Sequence, residues 1–206
     1  MNEVVSTLKD YYKEKVVEAG CDEAGRGCLA GPVFAAAVIL DPLKPIDALN
    51  DSKILSEKKR YTLRKEIELH AISFAVAMIS NTEIDQLNIF KASMKAMHHA
   101  LNELNTAPQH LLIDGNNFIK YKNIPHTCIV KGDSKYKSVA AASILAKTYR
   151  DDFMRKIHTE FDWYRWDSNK GYATAYHRNA IKQYGISKYH RKSFQLIDTQ
   201  LKIDFG

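Results

Sequence analysis

Apolar and polar residues alternate along the chain in blocks that predict the order of its strands and helices. Short apolar runs bounded by glycine, proline or aspartate indicate strands. Apolar residues at three- and four-residue spacing indicate helices, and Ser56 and Ser138 are the predicted N-cap residues of two of them. Strands are predicted at residues 16–21, 32–40, 73–79, 110–115 and 126–133, and helices after Ser56, from about 82 to 104, and after Ser138.

The order of these elements predicts an α/β fold. Only a glycine-rich segment separates the first two strands, so we expect them to form an antiparallel hairpin, whereas helices separate later strands. Together they predict a mixed β-sheet flanked by helices. The first turns of the helix after Ser138 are rich in small residues, which lets its backbone approach a neighbouring element closely. These residues are Ala140, Ala141, Ala142, Ser143 and Ala146.

The chain is continuous, with no internal repeat and no Gly/Ser-rich or Pro-rich linker among its 206 residues. A single domain over residues 1–206 is therefore predicted. Residues from about 162 to 206 are more polar and aromatic, and predict a C-terminal helical extension packed on the sheet. Met94 and Met97 follow the helical spacing of their segment and are expected in the core.

Composition is that of an ordinary folded protein, with 45% hydrophobic and 26% charged residues. The sequence contains no run of 18 apolar residues and begins with a polar segment, so we expect neither a membrane span nor a secretory signal, and a cytoplasmic location. Three cysteines without a C-x-x-C pair predict reduced, mostly buried thiols and no structural zinc site.

The net charge of +6 and the pI near 9.1 favour a polyanionic partner. Lysine and arginine concentrate in residues 120–137 and 182–192. For either stretch taken alone, a solvated basic face is the favoured explanation, so charge alone identifies no function.

Four acidic residues are predicted near the carboxyl ends of strands. Asp22 and Glu23 follow the first strand, while Asp114 and Asp133 end the last two. Open α/β sheets bind ligands beyond these strand ends. Each acid also has a structural explanation, because Asp114 and Asp133 fit turns or caps and Asp22 could pair with Arg26.

As a set, the acids predict a metal site. Four neighbouring carboxylates repel one another, and a bound cation offsets that cost. Ligands that are all oxygen suit Mg²⁺ or Mn²⁺. Two such ions about 3.5 to 4 Å apart can activate water and stabilise the leaving oxygen in phosphodiester cleavage.

A glycine turn follows the first acid pair at once. Gly25 and Gly27 flank Arg26, and their missing Cβ atoms would let backbone groups approach a ligand. Paired backbone donors and acceptors can recognise a ribose 2′-OH, and Arg26 can hold a phosphate. A plain hairpin turn is the alternative. The motif is not the G-x-G-x-x-G dinucleotide fingerprint, because a strand follows it instead of a helix.

Six blocks in this order resemble the ribonuclease HII family of bacteria. They are Cys21-Asp22-Glu23-Ala24-Gly25-Arg26-Gly27 with Leu29-Ala30-Gly31-Pro32-Val33, Leu49-Asn50-Asp51-Ser52-Lys53, Ile113-Asp114-Gly115-Asn116, Lys131-Gly132-Asp133-Ser134, Ala141-Ala142-Ser143-Ile144-Leu145-Ala146-Lys147 with Arg150-Asp151, and Asn169-Lys170-Gly171-Tyr172.

This resemblance implies an RNase H-like fold with a helical C-terminal part. It also implies cleavage on the 5′ side of a ribonucleotide, in RNA/DNA hybrids and in duplex DNA with embedded ribonucleotides, leaving 3′-hydroxyl and 5′-phosphate ends. By the same resemblance, Asp22, Glu23, Asp114 and Asp133 are the catalytic and metal-binding acids, and two Mg²⁺ or Mn²⁺ ions act in catalysis.

The resemblance also implies the substrate contacts. Gly25, Arg26 and Gly27 contact the 2′-OH and the flanking phosphates, Lys53 contacts a backbone phosphate, and Tyr172 packs on the deoxyribose that follows the ribonucleotide. Asp151, Asp152 and His177 receive no site role, because structural ion pairs and packing explain them.

Two other classes of protein fit the sequence less well. The related ribonuclease HIII family carries an additional N-terminal substrate-binding domain, for which Asp22 leaves no room, and usually has lysine where Arg26 stands. A non-catalytic nucleic-acid-binding protein could use the basic stretches, but four clustered acids would hinder it. Lastly, Gln200–Phe205 is similar to peptides that dock on bacterial sliding clamps, although a terminal strand is the alternative. We expect a monomer.

Overall fold

A five-stranded mixed sheet forms the centre of the protein in the computed structural model, which describes residues 8–197. The strands are β1 (Glu18–Ala24), β2 (Val33–Ile39), β3 (Ser73–Ile79), β4 (His110–Asp114) and β5 (His126–Ile129), in the order β3-β2-β1-β4-β5. β1 pairs antiparallel with β2 and parallel with β4. The predicted hairpin and the predicted mixed sheet are both confirmed.

Helices cover both faces of this sheet. They are α1 (Glu57–His70), α2 (Asn81–Leu87), α3 (Ile89–Asn102), α4 (Lys137–His158), α5 (Trp166–Asn169) and α6 (Ala175–Tyr184). Strand β2 is buried along its whole length because its side chains alternate between two cores. Ala35 and Ala37 pack in the core with Met94 and Met97 of α3, whereas Val38 packs on the opposite face with α1 and α4.

The predicted helix over residues 82–104 is wrong in one respect, because it is two helices. Asn88 interrupts it with a φ of 68°, and its side chain accepts a hydrogen bond from the Lys91 backbone to start α3. Asparagine tolerates positive φ better than most residues. Since apolar residues keep their helical spacing across the break, periodicity could not reveal it.

Ser138 is not the cap of α4. The helix begins at Lys137, two residues earlier than predicted, with Tyr136 as an N-cap that makes no side-chain hydrogen bond. The buried Ser138 hydroxyl has no partner within residues 8–197. The close approach predicted for this helix is confirmed. A Cβ atom on Gly20 of β1 would lie 2.2 Å from the Ser138 carbonyl carbon, so only glycine admits the first turn of α4 at this distance.

The segment after α4 packs on the end of that helix. Trp166 and Ile181 form an apolar cluster with Met154 of α4 and with Leu29 and Ala30, which follow the glycine turn. The C-terminal part therefore touches the segment that carries the candidate site. Cys21 and Cys28 are buried and Cys128 is half-buried, all three as free thiols. None of the helices within residues 8–197 is both long and apolar enough to cross a membrane.

Candidate active site

The predicted site residues converge on one cleft beside the end of β1, with a volume of about 490 Å³. It is lined by Asp22, Glu23, Gly25, Arg26, Gly27, Lys53, Asp114 and Tyr172, which are all of the predicted site residues except Asp133. Asp133 is almost fully buried and contacts the cleft through Lys53. Residues spread over most of the chain are therefore brought together as a group.

Parallel pairing of β1 with β4 brings two of the acids side by side. Cys21 of β1 pairs with Ile113 of β4. The residues that follow them, Asp22 in β1 and Asp114 in β4, are therefore neighbours. Neighbouring strands are about 4.8 Å apart, which leaves these carboxylates close together. The sequence-based boundary was wrong here, because β1 extends to Ala24 and includes both Asp22 and Glu23.

Asp133 reaches the site from a different element than predicted. Strand β5 ends at Ile129, and Asp133 lies in a short 3₁₀ helix, Gly132–Ser134. The strand cannot continue, because Lys131 adopts the left-handed conformation with a φ of 56°. The Gly132 backbone N–H donates to Asp114 Oδ1 over 2.7 Å, so the 3₁₀ helix is attached directly to the acid at the end of β4.

Asp22, Glu23 and Asp114 resist ionisation in this arrangement. Burial raises the pKa of Asp22 well above its usual range, and the charges of Glu23 and Asp114 raise it further. Burial also raises the pKa of Glu23 and of Asp114. Arg26 partly offsets this at Glu23, with a hydrogen bond of 2.9 Å. The alternative pairing of Arg26 with Asp22 is therefore wrong.

Each of the four carboxylates accepts a hydrogen bond from the protein itself. The donors are Glu23 N to Asp22 (2.7 Å), Arg26 to Glu23 (2.9 Å), Gly132 N to Asp114 (2.7 Å) and Lys53 Nζ to Asp133 (2.6 Å). Within residues 8–197, no three His, Cys, Asp or Glu side chains have the arrangement of a metal cluster.

The donor set nevertheless fits a hard divalent ion. Its ligands would all be oxygen atoms, and mutual repulsion favours a cation among Asp22, Glu23 and Asp114. Lys53 and Arg26 now supply the positive charge that a metal would bring. Metal binding by these acids stays a prediction, in which the ion would compete with these two cations.

The glycine turn combines one constrained position with one open position. Gly25 has a φ of 95°, and a Cβ atom there would lie 2.0 Å from Arg150 Nε. Gly27 is exposed, and a Cβ atom on it would meet nothing within 4 Å. Gly25 is thus required by the fold, whereas Gly27 faces space that a ligand can fill.

Two buried arginines contact this turn from behind, a role that was not predicted for either of them. Arg150 and Arg191 are each at most 1% exposed. Their guanidinium groups donate to backbone carbonyls, Arg150 to those of Ala30, Pro32 and Lys170, and Arg191 to those of Gly25, Arg26 and Gly31. Arg191 belongs to a basic stretch for which a solvated face was considered, and for this residue that interpretation is wrong.

Tyr172 lines the cleft with 42% of its surface exposed. Its backbone forms an antiparallel bridge with Cys28, directly after the glycine turn. Sequence analysis also missed Ser143 and Lys147, which line the cleft from α4. Both lie in one of the six blocks that carry the family resemblance, but no site role was predicted for them.

The acids and the histidine that were left out of the site have structural partners, as expected. Asp151 is buried against Lys147 at 2.5 Å, and Asp152 pairs with Arg64 at 2.7 Å. His177 is fully buried behind Tyr172.

Comparison with known proteins gives one consistent family. The model of the Ribonuclease HII family matches residues 19–197. Ribonuclease HII of Parabacteroides distasonis is 59% identical over 198 residues, covering 96% of this chain and all of the relative. Ribonuclease HII of Bacteroides thetaiotaomicron is 56% identical over 199 residues, with the same coverage.

Solved structures resemble the fold in the same way. Ribonuclease H2 from Pyrococcus horikoshii has a TM-score of 0.73 at 26% identity, covering 87% of this chain and 94% of that one. The PCNA:RNase HII complex from Archaeoglobus fulgidus contains a chain with a TM-score of 0.72 at 25% identity, with coverage of 90% and 98%. Bst-RNase HIII in complex with Mn²⁺ has a TM-score of 0.68 at 18% identity, a likeness of fold alone, over 88% of this chain and 68% of that one.

Proposed function

This chain belongs to the ribonuclease HII family, and we propose that it cuts the phosphodiester bond on the 5′ side of a ribonucleotide, leaving 3′-hydroxyl and 5′-phosphate ends. Membership makes it a ribonuclease H, an endonuclease of RNA/DNA hybrids. The proposal adds duplex DNA with embedded ribonucleotides to its substrates. One observation carries it: acids of β1 and β4 share a cleft with the glycine turn and Tyr172.

The glycine turn is suited to recognise the ribonucleotide. The open space at Gly27 allows a sugar to approach the backbone, and a 2′-OH both donates and accepts hydrogen bonds. Arg26 is exposed and can exchange its contact with Glu23 for a phosphate. Tyr172, which lines the same cleft, offers an exposed side chain to the following deoxyribose, where an added hydroxyl would disturb the packing.

Asp22, Glu23, Asp114 and Asp133 would hold two divalent ions, Mg²⁺ or Mn²⁺. When bound, such ions generate a nucleophilic water at neutral pH and stabilise the charge on the leaving oxygen. Lys53, displaced from Asp133, is then free to bind a backbone phosphate of the substrate. Because Glu23 and Gly25 are separated only by Ala24, detection of the ribose is coupled to placement of the scissile phosphate.

The test is incision of a DNA duplex that contains one ribonucleotide, with Mg²⁺, Mn²⁺ or EDTA. We expect cuts on the 5′ side of the ribonucleotide with either metal, none with EDTA, and none in an all-DNA duplex of the same sequence. End-labelled products distinguish a 3′-hydroxyl from a 3′-phosphate. Failure to incise with every metal, while a plain RNA/DNA hybrid is cut, would overturn the extension to embedded ribonucleotides.

A sliding clamp is the proposed protein partner. The archaeal relative in the solved complex assembles with PCNA, and Gln200–Phe205 of this chain is similar to clamp-docking peptides. That segment lies outside the described residues. Deletion of residues 200–206 should abolish binding to a bacterial sliding clamp in surface plasmon resonance and leave incision unchanged. Unchanged clamp binding would rule the segment out. The monomeric state and cytoplasmic location stay predictions.

A further inference from the structure

A chain of buried hydrogen bonds lies behind Tyr172. His177 of α6 is fully buried, and its Nδ1 atom lies 2.9 Å from the Tyr172 carbonyl oxygen. Its Nε2 atom lies 3.0 Å from the Trp166 indole nitrogen and 3.2 Å from His190 Nε2. His190 is 1% exposed. Neither histidine can reach substrate, so any influence they have on the reaction passes through other residues.

Their partners assign one tautomer to each ring. The Trp166 indole can only donate, so His177 Nε2 accepts and His177 Nδ1 carries the proton that is donated to the Tyr172 carbonyl. The Ser187 backbone N–H donates to His190 Nδ1 over 2.9 Å, so His190 Nε2 carries a proton and donates it to His177. Donors therefore point in one direction, from Ser187 through both rings to Tyr172.

Both rings stay neutral at physiological pH. Burial lowers the pKa of His177, with a smaller contribution from Arg178. Burial, and then the neighbouring His177, lower the pKa of His190 to about 4. The neutral forms are the ones that the hydrogen-bond chain requires.

The other end of the chain is attached to the glycine turn. His190 bridges Ala30, and the next residue, Arg191, donates its backbone N–H to the Leu29 carbonyl over 2.9 Å. The Arg191 side chain donates to the carbonyls of Gly25 and Arg26. His190 and Arg191 therefore contact the glycine turn and the residues after it directly. His190 also contacts Tyr172 indirectly, through His177.

We propose that His177 and His190 are positioning residues that fix Tyr172 relative to Gly25-Arg26-Gly27, and so set the preference for a ribonucleotide followed by a deoxyribonucleotide. This inference rests on the proposed function, in which the turn binds the ribonucleotide and Tyr172 packs on the next sugar. The two sugars are neighbours on one strand, so the separation of their protein contacts must match one nucleotide step.

The ratio of the incision rates of two substrates distinguishes a positioning role of these histidines from general structural support. Loss of folded enzyme lowers incision of every substrate equally. Displacement of Tyr172 lowers incision at a single ribonucleotide, which has a deoxyribonucleotide next to it, more than incision of a uniform RNA/DNA hybrid. The measured quantity is therefore kcat/KM for the single-ribonucleotide duplex divided by kcat/KM for the hybrid.

Two substitutions at one position form a matched pair. In His177→Asn the amide nitrogen replaces Nδ1 and can still donate to the Tyr172 carbonyl, whereas in His177→Gln it replaces Nε2 and cannot. We expect His177→Gln to lower the ratio about tenfold, the cost of one lost hydrogen bond, and His177→Asn to keep it within about threefold. At position 190 the expected effects are reversed. His190→Gln keeps the donor to His177 and should keep the ratio, whereas His190→Asn loses the donor and should lower the ratio.

A double substitution tests the route through Tyr172. Tyr172→Ala should lower the ratio by itself, and adding His177→Gln should lower it no further. Equal ratios for His177→Gln, His177→Asn and the wild type would overturn the inference, and so would a further loss in the double variant. If the His177 variants do not fold, the reversed pair at position 190 decides in the same way. A wild type that fails to incise the single-ribonucleotide duplex would instead refute the proposed function.

Discussion

The ammonium nitrogen of Lys53 lies 2.6 Å from a carboxylate oxygen of Asp133, although the lysine side chain is 73% exposed and that of Asp133 only 2%. An exposed surface cation thus neutralises a buried acid of the proposed metal site. Burial lowers the pKa of Lys53, but the hydrogen bond and charge of Asp133 raise it more.

Replacing Lys53 should make the protein depend more on metal. In EDTA, Lys53→Met leaves Asp133 without its partner, and we expect Tm to fall by about 2–4 °C, as a loss on the order of 1 kcal/mol would cause. Mn²⁺ should restore it, so the metal-induced rise in Tm is larger in the variant. Differential scanning fluorimetry with and without Mn²⁺ measures both, and an equal rise in both proteins would contradict the competition between Lys53 and metal.

Removing one carboxylate of the cleft should separate activity from stability. Asp22→Asn should lower the incision rate at least about 10³-fold, because a divalent ion supplies several kcal/mol of transition-state stabilisation. Since the change relieves repulsion with Glu23 and Asp114, Tm in EDTA should not fall. Asp152→Asn, outside the cleft, is the matched control and should cut within about twofold of wild type. Normal cutting by Asp22→Asn would refute the metal site.

The two glycines of the turn should respond differently to alanine. Gly25→Ala forces a left-handed conformation and a collision with Arg150, and should cost at least about 2 kcal/mol of unfolding free energy. Gly27→Ala meets open space and should unfold like the wild type, while its methyl group obstructs the sugar and raises KM. Urea unfolding measures the free energy of unfolding of each variant, and steady-state kinetics measure its KM. A normal KM for Gly27→Ala would show that substrate does not approach this position.

Acid should weaken the fold through the buried histidines. Because the pKa of His190 is lowered from 6.5 to about 4, the unfolded chain binds protons first as pH falls. The neutral ring's contribution is complete above pH 6.5 and is lost toward pH 4, up to about 3 kcal/mol. His190→Gln does not titrate, so its unfolding free energy should decline less over this interval. Urea titrations at pH 7, 5.5 and 4.5 compare the wild type with His190→Gln. Parallel declines in their free energies of unfolding would contradict the lowered pKa of His190.

The sequence predicted the acids better than the elements that carry them. The apolar run before Asp114 ends visibly at that residue, so its place at the end of β4 was predictable. Asp133 was expected at the end of a strand, but the left-handed turn at Lys131 leaves no pattern in hydrophobicity. It lies in a 3₁₀ helix instead.

Arg191 could not be predicted as a buried residue, because its environment is created by distant parts of the chain. Its acceptors are the carbonyls of Gly25, Arg26 and Gly31, between 160 and 166 residues away in sequence. Locally it belongs to a run of basic residues, and such runs are usually solvated. The role of His177 was hidden for the same reason, since Trp166 and His190 meet it only in the folded state.

The contact between Gly20 and α4 affects how variants of this enzyme should be interpreted. Gly20 stands just before Asp22, and Ser138, which it touches, follows shortly after Asp133. A side chain at position 20 would collide with the Ser138 backbone, and we expect the resulting shift of α4 to move Asp133 relative to Asp22. We expect such a variant to keep every proposed catalytic residue and yet lose activity. A survey that judges natural variants by their catalytic residues alone would therefore misclassify it, unless position 20 is counted with them.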